Sequence, residues 1–157
     1  MRVSCLRSRR DTTINVKGAG TGAGQGTFTA FTDGLSPAGA IAGNYTDRSN
    51  VSHGFVRAAN GKITTFNVKG AGTGSGQGSF STGITPAGTI GGEYLDGSNV
   101  FHGFVRAACG KIKTFSVKGA GTGPGQGTFA GANNPAGAIA GFYLDGSNVF
   151  HGFLRKP

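Results

Sequence analysis

Three observations predict an all-β fold for this 157-residue chain. A unit of 49 residues is copied three times, apolar residues alternate with a period of two inside each copy, and turn dipeptides separate the alternations. No stretch sustains the 3.6-residue period of a helix. The copies are anchored by Pro37, Pro86 and Pro135, by Gly43, Gly92 and Gly141, and by Tyr45, Tyr94 and Tyr143, each set 49 residues apart. Lys17 and Lys69 stand 52 apart because the first copy carries three extra residues around "AFTDGL", and Lys69 to Lys118 returns to 49.

Each unit divides into four short strands. In the middle copy the first is "GQGSFSTGI" (residues 76–84), and the turn "TPAG" leads to "TIGGEYL" (residues 89–95). The turn "DGSN" leads to "VFHGFVRA" (residues 100–107), and "CG", or "NG" at Asn60-Gly61 in the first copy, leads to "KIKTFSVK" (residues 111–118). Asn-Gly between apolar alternations is a strong hairpin signal, because both central residues must tolerate positive φ. Alternation puts Val100, His102, Phe104 and Arg106 on one face and Phe101, Gly103 and Val105 on the other. Both faces carry apolar groups, so both must be covered. Four-stranded sheets stacked face to face, the blades of a propeller, meet that need; a β-trefoil, with twelve strands and threefold symmetry, is the alternative.

The segment "TTINVK" (residues 12–17) matches residues 64–69 and reads as a fourth strand placed first, while "HGFLRKP" follows a third strand. The expectation is that the N-terminal strand completes the last unit and closes the array. Three units fall short of the usual four to eight blades, so two chains are expected to form a six-bladed homo-oligomeric ring. The domain plan is an irregular basic leader (residues 1–11) and one three-repeat β domain (residues 12–157).

Composition narrows the function classes. The net charge is +9, and Arg2, Arg7, Arg9 and Arg10 lie in the leader. A basic balance admits nonspecific polyanion binding, yet no RNA-binding signature or zinc-finger spacing is present. The 32 glycines have no triplet period and there are only 5 prolines, which excludes collagen, and 12 Phe with 3 Tyr can fill a core. Cys5 and Cys109 make neither a disulfide framework nor a zinc spacing. No apolar run is long enough to cross a membrane as a helix. The start "MRVSCLRSRRD" has charge without an apolar stretch and is not read as a signal peptide.

The segments "INVKGAGTGAGQGTF", "PAGAIAGNYTD" and "HGFVR", with their counterparts in the other copies, resemble the extracellular HAF repeat family, named for a His-Ala-Phe signature. The resemblance covers residues 12–155; Gly54, Gly103 and Gly152 stand where the family signature has Ala. It implies a bacterial, exported, propeller-like repeat protein and no catalytic residue, since no activity defines the family.

The only histidines, His53, His102 and His151, recur in "DRSNVSHGFVR", "DGSNVFHGFVR" and "DGSNVFHGFLR". Closure about a threefold axis would present them together as a three-histidine site for zinc or another divalent metal, and with it a small metal-dependent hydrolase. The favoured alternative is structural: Asp47, Asp96 and Asp145, each six residues earlier across a hairpin, hydrogen-bond the histidine of their own unit. The glycine loops after Lys17, Lys69 and Lys118 could cradle an anion with backbone amides. The lysine precedes the loop and no helix follows, unlike a phosphate loop, so a connector between units is favoured. The tyrosines read as packing groups; Glu93 is not a repeated acid, its counterparts being Asn44 and Phe142, and Asp33 lies in the insertion. The expected function is thus a non-enzymatic binding or structural repeat module without a cofactor, the hydrolase and the polyanion binder being the alternatives.

Overall fold

The computed structural model describes residues 11–30 and 33–157; the basic leader through Arg10, with Cys5, lies outside the described residues. Among the described residues eleven strands form the fold: β1 (Gly26–Thr29), β2 (Ile41–Thr46), β3 (Ser52–Arg57), β4 (Ile63–Phe66), β5 (Gly78–Ile84), β6 (Ile90–Leu95), β7 (Phe101–Arg106), β8 (Ile112–Phe115), β9 (Gly127–Asn133), β10 (Ile139–Leu144) and β11 (Phe150–Arg155). No described residue is helical, so the all-β expectation stands.

Antiparallel hairpins build each unit. The second and third strands keep one register throughout, with Tyr45 opposite His53, Tyr94 opposite His102 and Tyr143 opposite His151. One extra residue bulges the first strand near Ser81 and Gly83, and again opposite Ala140 and Gly141. The alternation read from the sequence is the one that packs: Val100, just before β7, and Phe104 and Arg106 on it are buried.

Units join through short parallel seams. Ser52 pairs with Gly78, and Phe101 with Gly127. Two hydrogen bonds fix each seam: Gly76 N–H to Asn50 C=O (2.7 Å) with Ser52 N–H to Gln77 C=O (2.8 Å), and Gly125 N–H to Asn99 C=O (2.7 Å) with Phe101 N–H to Gln126 C=O (2.9 Å). Glycine is required at 78 and 127, where φ is +120° and +115° and a Cβ would overlap the backbone of the preceding unit. Side chains cross the seams as well. Phe66 of β4 meets Phe104 of the next unit edge-on at 5.9 Å, and Phe115 of β8 meets Phe153 at 6.2 Å. Arg106 and Arg155 cap the same rings at 5.0 and 4.5 Å. The main core, Ala42, Val68, Ile84, Ile90, Tyr94 and Phe104, lies between the first and second units.

Two expectations are corrected. The segment 12–17 is not a strand, and it does not pair with β11; the described sheet is open, running from β1 to β11 with β4 and β8 attached to β3 and β7. The described residues of one chain therefore do not close the sheet into a ring. The reason is the direction in which a fourth-strand segment seats. Val68 N–H donates to Ser79 Oγ, and Val117 N–H to Thr128 Oγ1, each on the unit that follows. Val16 N–H likewise donates to Thr27 Oγ1 of the first unit, so residues 12–17 are held at the opposite end of the sheet from β11. The same bond explains why the expected strand 111–118 stops at Phe115: beyond it the backbone serves the seam.

Candidate functional site

The repeated site begins with the turn between the second and third strands. Asp47 Oδ1 accepts from the amides of Ser49 (2.8 Å) and Val51 (3.0 Å), and Asp96 and Asp145 do the same for the amides at 98 and 100 and at 147 and 149. Such a side chain mimics a backbone turn. It lets Asn50, Asn99 and Asn148 adopt φ of 60°, 62° and 63°, a region that asparagine tolerates better than most residues.

The second carboxylate oxygen faces the histidine. Nε2 of His53, His102 and His151 donates to Oδ2 of Asp47, Asp96 and Asp145 at 3.1, 3.0 and 2.9 Å. Each ring also stacks on its cross-strand tyrosine, at centroid distances of 4.9, 4.8 and 4.8 Å for Tyr45, Tyr94 and Tyr143. Nδ1 of His53 bonds Asn67 Oδ1 at 2.7 Å, and Nδ1 of His102 bonds Ser116 Oγ at 2.9 Å. Those partners follow β4 and β8; among the described residues no such strand lies beside the third unit, and the His151 side chain is 40% exposed against 19% and 23% for His53 and His102. The amide of Val51, then His53 and the Ser49 amide, hold the Asp47 carboxyl below the usual range. Partial burial pushes Asp96 upward, but the bonds from Val100, His102 and Ser98 together win and lower it. Asp145 is lowered by the Val149 amide, His151 and the Ser147 amide.

The glycine loops wrap a glutamine that sequence reasoning passed over. Gln25, Gln77 and Gln126 accept through Oε1 from the amides of Gly22, Gly74 and Gly123 at 2.9, 2.8 and 2.9 Å. Their Nε2 groups donate to Oδ1 of Asn50, Asn99 and Asn148 at 2.8, 2.9 and 2.9 Å. The available signal was the "GQG" that recurs with the copies. In the second loop the amides of Ala71, Gly72, Gly74, Gly76 and Gln77 are all donated inside the chain. Lys17, Lys69 and Lys118 stand exposed at the head of each loop.

Each histidine is thus brought to its own aspartate and tyrosine. Among the described residues no three His, Cys, Asp or Glu side chains gather as a metal-ligand set. Cys109 is a free, exposed thiol. The three proline turns do converge: Pro37, Pro86 and Pro135 share a cleft of about 320 Å³ with Asp33 and Asn133. Asp33, from the insertion, also ties the first unit to the second by accepting the Ile84 amide at 2.8 Å. Glu93, on β6, is half-buried where β6 meets β9, and its carboxyl is pushed up to about 7 by that burial, while a hydrogen bond from the Ala130 backbone pulls the other way. Among the described residues no helix is long and apolar enough to cross a membrane. Compared with known proteins, the chain matches no family model, no curated protein and no solved structure.

Proposed function

We propose that the chain is a non-enzymatic binding or structural repeat module of propeller type, related to the HAF repeats that its motifs resemble. Two chains would complete a ring of six units. The observation that carries this reading is the threefold recurrence of the His–Asp–Tyr trio. Each aspartate divides its oxygens between a turn and a histidine, and each histidine is stacked and hydrogen-bonded within its unit. Repeated groups committed to one another in this way shape a hairpin rather than a reacting centre. A ligand of such a module would sit where the three copies meet, in the cleft between Pro37, Pro86 and Pro135.

The test is metal analysis of the purified chain together with the stability of His53→Ala, His102→Ala and His151→Ala. The module predicts that each substitution lowers the unfolding midpoint and that transition metal stays well below about one equivalent per chain. About one zinc per chain, lost with any one of the three substitutions, would overturn it in favour of the three-histidine hydrolase. A polyanion reading is favoured by one observation, the exposure of Lys17, Lys69 and Lys118 beside every glycine loop. It requires binding that falls steeply with salt and survives removal of the basic leader.

A further inference from the structure

We propose that a second copy of this chain docks on the outer edge of β11, with its own residues 11–28 rebuilding there the seam that joins the units internally. The inference deepens the repeat-module reading by naming the partner and the register.

The two surfaces are halves of one pattern. On one side lies the outer edge of β11, with no strand beside it among the described residues. Val149 is 51% exposed, whereas Val51 and Val100, its counterparts at the internal seams, are 6% and 5% exposed. Phe150 and Leu154 add exposures of 67% and 66%. On the other side lies the N-terminal segment, already seated on the first unit through Val16 and Thr27 as its counterparts are seated on the second and third. Its Gly26 has φ +121° and open space where a Cβ would be, while Gly78 and Gly127 press against the unit before them. Gly152 is likewise open, while Gly54 and Gly103 carry the rings of Phe66 and Phe115. A glycine kept open on each surface is what a seam needs when its other half arrives.

Transferring the internal register names the contacts. Phe101 pairs with Gly127, so Phe150 pairs with Gly26 of the second copy. The Phe150 N–H then donates to the Gln25 C=O, and the Gly24 N–H to the Asn148 C=O, as at the existing seams. Gly103 pairs with Phe115, so Gly152 pairs with Ile14, and residues 12–14 gain the strand partner they lack. Phe101 packs on Phe129 at 4.2 Å, so Phe150 packs on Phe28, itself an exposed ring. Asn67 bonds Nδ1 of His53 at 2.7 Å, so Asn15 of the second copy fills that position on His151. Backbone register, an aromatic pair, two open glycines and a histidine partner all select the same occupant. The contact is head-to-tail, and its rotation decides whether it closes or grows.

Sedimentation of the full chain between about 1 and about 100 μM tests it, a range that brackets weak and firm self-association. Self-association is expected. Val149→Asp on the tail and Phe28→Glu on the head should each weaken it by about 100-fold, the scale of a central interface residue. Mixing the two variants should restore a 1:1 complex, because each retains the surface that the other has lost; this recovery also shows that both are folded. Gly152→Val, which fills open space in the free chain, should block association as well. A wild-type chain that stays monomeric throughout overturns the inference, as does a pair of variants that never associate on mixing, or variants that assemble like wild type. A closed dimer supports both this seam and the six-unit ring. Longer head-to-tail species support the seam and overturn the ring. None of these outcomes bears on the metal test of the module reading.

Discussion

Replacing Glu93 by glutamine should remove the part of the pH dependence of stability that this carboxyl supplies. Burial raises this carboxyl from its ordinary 4.5 to about 7 in the folded chain. A group whose folded pKa is raised contributes stability that is complete below about pH 4.5, where folded and unfolded chains both hold the proton. Above that, the unfolded chain ionises while the folded one resists, and stability is lost until the pH passes about 7. A shift of about 2.5 units at 1.36 kcal/mol each sets a ceiling of about 3 kcal/mol, of which about 2.5 falls between pH 5 and pH 8. With a urea slope of about 2 kcal/mol per molar, the wild-type midpoint should drop by about 1 M over that interval. The substituted amide keeps an oxygen for the Ala130 N–H and has no proton to lose, so the midpoint of Glu93→Gln should fall by about 1 M less than that of wild type over the same interval. Every other group is common to both chains, so the difference between the two curves isolates Glu93. Parallel loss in wild type and Glu93→Gln would refute the argument.

Gly103→Ala should cost about 1 to 3 kcal/mol, because the new methyl overlaps the Phe115 ring, whereas Gly152→Ala, facing open space, should stay within about 0.5 kcal/mol at concentrations where the chain is alone; equal melting of the two variants would sink the packing account. Asp96→Ala removes the acceptor of the Ser98 and Val100 amides and of His102, and should destabilise by about 1 to 3 kcal/mol in chemical denaturation. The folded carboxyls of Asp47, Asp96 and Asp145 lie below their ordinary range. The stability they supply is therefore present above about pH 4 and lost as pH falls through the folded values. Acid unfolding followed by circular dichroism should be shallower in Asp96→Ala than in wild type.

Much of the fold was legible because its signals are local. The expected strand 89–95 became Ile90–Leu95, and 100–107 became Phe101–Arg106, since alternation and turn residues act over a few positions. The aspartate and histidine of a unit meet because a hairpin whose register follows from its turn places them together. What escaped depended on distant partners. Residues 12–17 carry the sequence of a strand, but a strand is defined by its neighbour, and the first unit offers that segment a hydroxyl rather than an edge. Gln77 escaped because its role, bridging a glycine loop to Asn99, has no periodic signature beyond recurrence. Glu93 was set aside as unrepeated, although being unrepeated is what left a carboxylate where neighbouring copies have amide or ring.

The equal spacing of three histidines and the openness of the sheet have a single explanation. The first and second units each pack their fourth strand on the unit after, through Phe66 on Phe104 and Phe115 on Phe153, so cohesion resides in the seams. An array of this kind has stability that adds by nearest neighbours. The middle unit takes part in both seams and the outer units in one each. Histidines fixed to successive hairpins are then spread along the array instead of converging, and each does for its turn what its counterparts do for theirs. The same logic ranks perturbations: a substitution at Asp96 or Gly103 strains a unit held on both sides, and its counterpart at Asp145 or Gly152 acts on a surface that only a second copy would complete.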